Sequence, residues 1–249
     1  MLRRLSAVIA VSAIVCTIQL SVAPAAMAVL STTPDPSWMT NGLVYALQPV
    51  GTTMYIGGQF TQIRSTPQGT VGPKIIGIAD IGAIDTTTGQ GIKTFKHVVT
   101  HSGGNAYVKD LALSPDGATL YVAGHFDGID GVAEHNLAAI DLASDTVDAS
   151  FTPAAGGNTS AVFVLLPAPD GSKLYMGGSF TAVNGDARTR LAAILPDGSL
   201  DPSWNPAANK HVRSLTYASD GNTIFIGGAF TTMNGTTRPS LVVVSAGWS

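Results

Sequence analysis

The sequence predicts an all-β fold assembled from four repeats of about 50–57 residues, each with four short antiparallel strands. Three observations carry that expectation. Charged residues make up only 12% of the 249, and they are skewed: fifteen of the sixteen acids are Asp, Glu134 is the only Glu, and Lys occurs six times. A soluble chain usually carries about 25% charged residues. Glu and Lys build exposed helix faces, whereas Asp, Gly and Pro belong to turns, so a helical bundle is excluded. Second, Tyr55-Ile56-Gly57-Gly58-Gln59-Phe60-Thr61 returns at Tyr121–Asp127, Tyr175–Thr181 and Phe225–Thr231. Third, Asp35-Pro36-Ser37-Trp38 returns as Asp148–Phe151 and Asp201–Trp204, with Phe95 as a degenerate copy. These marker aromatics, at 38, 95, 151 and 204, share the period of the first motif.

From the amino terminus, residues 1–28 read as a signal peptide. Arg3 and Arg4 precede an apolar run, Leu5 to Val22, and Ala26-Met27-Ala28 supplies the small-x-small cleavage pattern. An uncleaved anchor is the alternative, since about 18 apolar residues just span a bilayer. Cleavage leaves 221 residues, a charge of −5, and no cysteine, because Cys16 is the only one. Disulfides, thiolate nucleophiles and thiolate metal sites are thereby excluded from the mature chain. The expected compartment is extracellular or the cell envelope, with no membrane span after cleavage. A formal charge of −3 for the whole chain gives no basic footprint for nucleic acid.

Residues 29–249 read as a single domain, with repeats at roughly 35–91, 92–147, 148–200 and 201–249. Each first strand is an apolar run: Val44–Leu47, Val108–Leu113, Val162–Leu166 and Val212–Leu215. A Gly turn follows, at Val50-Gly51, Asp116-Gly117, Asp170-Gly171 and Asp220-Gly221, and Asp-Gly between apolar runs is a hairpin signal. The Gly-Gly-x-Phe segment is the second strand. A second turn, Asp130-Gly131, Asn184-Gly185 or Asn234-Gly235, leads to the third: Ile81–Ile84, Leu137–Ile140, Leu191–Ile194 and Leu241–Val244. The fourth strand is expected to carry the marker aromatic. Four antiparallel strands per repeat describe a β-propeller blade; a stacked β-solenoid is the rival. A fourth-type strand near Trp38 and a third-type strand near Ser245 predict a ring closed by pairing of the amino- and carboxy-terminal strands. A fragment of a longer array is the other possibility.

Tyr-x-Gly-Gly-x-Phe-Thr, Asn-Gly-x-x-Arg, Leu-Ala and Asp-x-Ser-Trp together resemble the delta-60 repeat, a bacterial β-propeller family of unknown function. A looser similarity runs to kelch-like and Rax2-like Gly-Gly-x-Phe repeats. The resemblance covers about Asp35–Ser245. The first copy departs by lacking the Asn-Gly turn, the second by Ala123, Asp127 and Glu134-His135. The resemblance implies a fold and no catalytic residues.

Chemistry is thinly represented. His97 and His101 are four apart on extended chain, about 13 Å, too far to share one ion. Asp127, Asp130, Glu134 and His135 form the densest polar cluster, but their spacing is not that of a Ca²⁺ loop, so turn and cap duty is expected. No metal and no cofactor is assigned. No Gly-x-Ser-x-Gly elbow occurs, and Ser179 varies among copies. Asp110 stands inside a first strand, without a partner carboxylate for general acid catalysis. Arg188 and Arg190 follow an Asn-Gly turn, where bracing of backbone carbonyls competes with ligand binding, as it does for Arg238. The first copy is ten residues longer than the others between its motif Phe60 and Asp85, through an insertion around Arg64–Lys74. An odd loop on a symmetric scaffold is where an asymmetric ligand is naturally read.

The expected binding residues are therefore Arg64, Lys74, Arg188 and Arg190, and the catalytic residues are unassigned. The expected function is a non-catalytic binding or structural module whose partner is an extracellular polymer or an envelope protein. The alternative is a secreted hydrolase or lyase acting on a polysaccharide or other polymer through polar residues at the blade tops.

Overall fold

The computed structural model describes residues 38–65, 74–157 and 160–247. The expected signal peptide, the marker residues Asp35–Ser37 and most of the inserted loop lie outside these. The described residues form strands and turns without a helix, and none of their helices is long and apolar enough to cross a membrane because there are none.

The first repeat runs through β1 (Met39–Thr40), β2 (Leu43–Val50), β3 (Thr53–Gln59), β4 (Gln62–Arg64), β5 (Ile75–Gly77) and β6 (Ile81–Asp85). The second runs through β7 (Val99–Thr100), β8 (Tyr107–Leu113), β9 (Thr119–His125), β10 (Gly128–Ile129), β11 (Val132–Ala133), β12 (Leu137–Asp141) and β13 (Thr146–Val147). The third has β14 (Ala155–Gly156), β15 (Val162–Pro167), β16 (Leu174–Gly178), β17 (Ala182–Val183), β18 (Asp186–Ala187) and β19 (Leu191–Ile194). The fourth has β20 (Val212–Tyr217), β21 (Thr223–Gly228), β22 (Thr232–Met233), β23 (Thr236–Thr237) and β24 (Leu241–Ser245). Each repeat contributes one main antiparallel sheet: β2-β3-β6, β8-β9-β12-β13, β15-β16-β19 and β20-β21-β24.

The turns form for local reasons. At Asp116-Gly117, Asp170-Gly171 and Asp220-Gly221 only the glycine takes a positive φ (76°, 72°, 66°). The Asp side chain instead accepts the N–H two residues on, from Ala118, Ser172 and Asn222. At Asn184-Gly185 and Asn234-Gly235 both residues are left-handed, as a two-residue type I′ hairpin requires.

These hairpins, and in the first repeat the β4-β5 pair joined by the inserted loop, make a second set of small sheets that the sequence did not announce: β1-β4-β5, β7-β10-β11 and β14-β17-β18, with β22-β23 joined by an Ala208–Met233 bridge. The strand entering each small sheet first follows the marker aromatic. The turn side chain receives it: Asp130, Asn184 and Asn234 accept the N–H groups of Val98, Ala154 and Ala207, all at 2.7 Å.

The marker aromatics are not on the fourth strands, which corrects the expectation. The fourth position is short: Gly91 bridges Ile84, β13 pairs with β12, and Leu200 bridges Ile194. Phe95, Phe151 and Trp204 come after it, outside any strand. The marker Asp turns the chain out of the sheet first. Asp148 Oδ1 accepts from Ser150 N–H and Oγ–H, and Asp201 Oδ1 does the same with Ser203. The ring then drops between successive sheets. Phe95 meets Tyr55 at 4.9 Å, Phe151 meets Tyr121 at 5.5 Å, and Trp204 meets Tyr175 at 4.8 Å between centroids.

Three apolar clusters fill the space between consecutive main sheets. The first glycine of the pair allows that approach: a Cβ on Gly57 would lie 2.5 Å from Val108 Cγ1, and one on Gly177 2.5 Å from Val212 Cγ1. The second glycine backs onto the carbonyl of the first strand, Leu43 O at Gly58 and Ala161 O at Gly178. Pairing of the amino-terminal segment with β24 is not found among the described residues. There β1 pairs with β4, β24 pairs only with β21, and the Trp38 N–H donates to Gly89 O.

Candidate functional site

The first strands lie side by side, β2 against β8, β8 against β15 and β15 against β20. Each is broken by a register shift at the same place. The shift falls between Val44 and Ala46, Val108 and Asp110, Val162 and Val164, and Val212 and Ser214. A bulge sets two residues opposite one and re-aims a side chain. The re-aimed residues are Tyr45, Lys109, Phe163 and Arg213, and all four line a single central cleft of about 520 Å³. Gln59, Asn105 and Tyr107 complete the lining.

Two cations and three aromatic rings therefore converge, with no carboxylate among the lining residues. Lys109 Nζ sits 3.6 Å from the centroid of Tyr45, a cation–π contact. Tyr107 meets Tyr45 edge-on at 6.3 Å, and Phe163 meets His211 edge-on at 5.8 Å. Burial holds Lys109 below the ordinary lysine value, and the nearby Arg213 charge adds to that. His211 is likewise held down by burial, then by Arg190 and Arg213. A neighbouring cavity of about 520 Å³ shares Gln59 and Asn105 and runs to Asn41, Thr61 and His101. There His101 and His125 stack at 4.1 Å.

Asp110 follows the bulge but is committed to structure. Its Oδ2 accepts the Leu165 N–H of the next repeat at 2.7 Å and its Oδ1 accepts from Leu111 N–H at 2.9 Å. Burial nevertheless pushes it up to about 6, against those two donors.

The expected binding residues are dispersed. Arg64 and Lys74 are brought together at the base of the insertion, where Ser65 N–H donates to Lys74 O and Arg64 pairs with Ile75. Both side chains are exposed. Arg188 is buried and donates through its guanidinium to Ala187 O. Arg190 donates to Ser179 O and Phe180 O. The Nε atoms of Arg188 and Arg190 have no partner. These two arginines serve carbonyls of their own repeat.

The polar residues of the second repeat also separate. Ser102, through its hydroxyl and then its N–H, holds Asp127 below the usual carboxylate range. His97 is buried between two carboxylates, with Nδ1 2.6 Å from Asp130 and Nε2 3.1 Å from Asp145. Glu134 is buried with neither carboxylate oxygen partnered, and burial, followed by the charge of Asp148, raises it to about 7. No group of three His, Cys, Asp or Glu among the described residues is placed to hold a metal ion.

The cleft residues were missed from sequence, although a signal exists. Val108 and Leu111 are three apart and both buried, as are Val162 and Leu165 and Val212 and Leu215. A regular strand cannot bury residues an odd number apart on one face, so Val-x-x-Leu in each first strand announces the bulge.

A comparison with curated proteins found no match. Among solved structures, the chain is similar to one described as the "crystal structure of the computationally designed Ika4 protein". It is 13% identical, covering 82% of this chain and 92% of that one, with a TM-score of 0.46, below the level at which a shared fold follows. Residues 168–203, from the turn after β15 to the Asp201–Ser203 turn, match the family model "Domain of unknown function (DUF5122) beta-propeller". That match bears out the resemblance of the repeat to the delta-60-like bacterial β-propeller family of unknown function.

Proposed function

We propose that the protein is a non-catalytic binding module whose four repeats serve as propeller blades, and that its central cleft takes an acidic polymer, such as a glycan bearing carboxylates. One observation carries this: four equivalent bulges deliver Tyr45, Lys109, Phe163 and Arg213 to one cleft without a lining carboxylate. Arg and Lys match carboxylate by charge, and aromatic faces stack on flat apolar surfaces. In a chain of net charge −3, such a concentration of cation is local. Export to the cell envelope or the extracellular space, expected from residues 1–28, would put such a polymer within reach. Arg64 and Lys74 are candidate outer contacts.

Polygalacturonate and its methyl ester, titrated at low and moderate salt, test the proposal. The acid form is expected to bind, with affinity falling as salt rises. Lys109→Gln with Arg213→Gln should weaken it about 10–100-fold, the loss of charge-assisted hydrogen bonds. Equal binding of the ester, or indifference to the double substitution, would refute it. A hydrolase or lyase draws on the raised Asp110, whose two oxygens are occupied by backbone donors. Turnover of the polymer that is lost in Asp110→Asn would reverse the order.

A further inference from the structure

We infer that the exposed faces at the two ends of the repeat series are the halves of one more inter-repeat interface, which a second copy of this chain completes, head to tail, in a closed ring of two copies. The inference goes beyond ligand binding and does not depend on the cleft.

The chain uses one interface three times. Its leading side presents the second-strand aromatic, the alternate small residue of that strand, and two third-strand residues. These are Tyr55, Gly57, Ile81 and Ala83, then Tyr121, Ala123, Leu137 and Ala139, then Tyr175, Gly177, Leu191 and Ala193. Its following side presents the marker aromatic and the Val and Leu that flank the bulge. In each case the two sides share one apolar cluster. Val108, Val162 and Val212 are each 0% exposed, and Leu191 and Ala193 are 0%.

The ends carry the same parts without their complements. In the fourth repeat the leading side is Phe225, Gly227, Leu241 and Val243; Leu241 is 59% and Val243 50% exposed. In the first repeat the following side is Val44 and Leu47, 41% and 62% exposed, beside Trp38, whose ring rests on the apolar cluster of its own repeat. Among the described residues Gly227 has no valine of another repeat beside it; its nearest neighbour is Ser214 Oγ of its own. Val44 meets no glycine seat among the described residues. Each face lacks what the other offers, and the pattern of fit is already present three times in the chain. That continuity selects a second copy over an unrelated occupant. A heterologous contact either closes or grows without limit. Two copies bring eight repeats together, within the range of blade numbers at which propellers close.

The test is the mass of the purified protein by light scattering at about 50 µM, a concentration that retains even modest affinity. Twice the chain mass is expected. Leu47→Glu and Leu241→Glu, both at exposed positions and so harmless to the core, should each give the single-chain mass with unchanged circular dichroism. Mixing the two variants should restore the double mass through the one intact pair of faces. A monomeric wild type overturns the inference. So does a dimer that survives both substitutions, or one abolished by only one of them, since like faces would then be paired. A mass that climbs continuously with concentration overturns the closed ring.

Discussion

A single methyl group added to Gly57 measures how closely the first two repeats are packed. The new Cβ would lie 2.5 Å from Val108 Cγ1 and 3.3 Å from Leu111 Cγ, both on the second repeat. Carbon atoms prefer about 3.5–4.0 Å, so the sheets must part by roughly 1 Å or Val108 must leave its place. Overpacking of this kind costs about 1–3 kcal/mol, offset by about 0.5–1 kcal/mol from the stiffer unfolded chain. Gly57→Ala should therefore destabilise by about 1–2 kcal/mol. Val108→Ala alone removes two fully buried methyls and should cost about 2–3 kcal/mol with its cavity. In the double variant the alanine methyl at 57 enters the space that Val108 vacates. Its cost should be close to that of Val108→Ala alone, a coupling of about 1–2 kcal/mol. Urea unfolding followed by tryptophan fluorescence, at constant m-value, gives the four free energies. Strict additivity would refute contact between Gly57 and Val108 as the limit on sheet spacing.

Phe180 is 0% exposed, and Phe180→Ala should lower stability by about 3–5 kcal/mol in the same assay. Ser179→Ala should cost about 1 kcal/mol, more than its variability among copies suggests, because its Oγ accepts the Ala161 N–H at 2.9 Å. Glu134 is raised from 4.5 to about 7: protonated in both states below pH 4.5, it contributes no penalty there, and stability is lost as pH rises towards 7. Glu134→Gln should flatten that decline in melting temperature between pH 4.5 and 8, by up to about 3 kcal/mol; an unchanged slope would show that the carboxylate is solvated. His97→Ala should cost about 3 kcal/mol through its two carboxylate contacts, measured by thermal melting at pH 7.

Much of the fold is written in local signals. Asp-Gly and Asn-Gly dipeptides mark turns because their side chains and glycines satisfy the turn by themselves, and the third strands fall where Leu137, Leu191 and Leu241 open apolar runs. What was not legible depends on partners far along the chain. The two-residue strands of the small sheets have no periodicity to read. Phe151 and Trp204 look like strand residues until the Asp148 and Asp201 turns are known to remove them. The cleft was hidden for another reason: Tyr45, Lys109, Phe163 and Arg213 share a position but not a chemistry, so searching for repeated residues passes over them. The arginines that do repeat, Arg188 and Arg238, are each spent on the preceding residue's carbonyl. Repetition tracked the scaffold, and variation at a fixed position tracked the cleft.

The placement of the marker aromatics bears on the order in which the chain can become stable. Tyr55, Tyr121 and Tyr175 receive their ring partners from Phe95, Phe151 and Trp204, which are 40, 30 and 29 residues downstream. A nascent repeat is thus left with a bare tyrosine until the start of its successor has been synthesised. At about 5–20 residues per second, the delay is a few seconds for each repeat. The growing chain passes that vulnerability forward, so only its newest sheet is exposed at any moment. A chain truncated within residues 176–203 should leave Tyr175 open to protease and to aggregation, while one that runs on through Tyr217 and Ala246, which also meet that ring and its hydroxyl, should not.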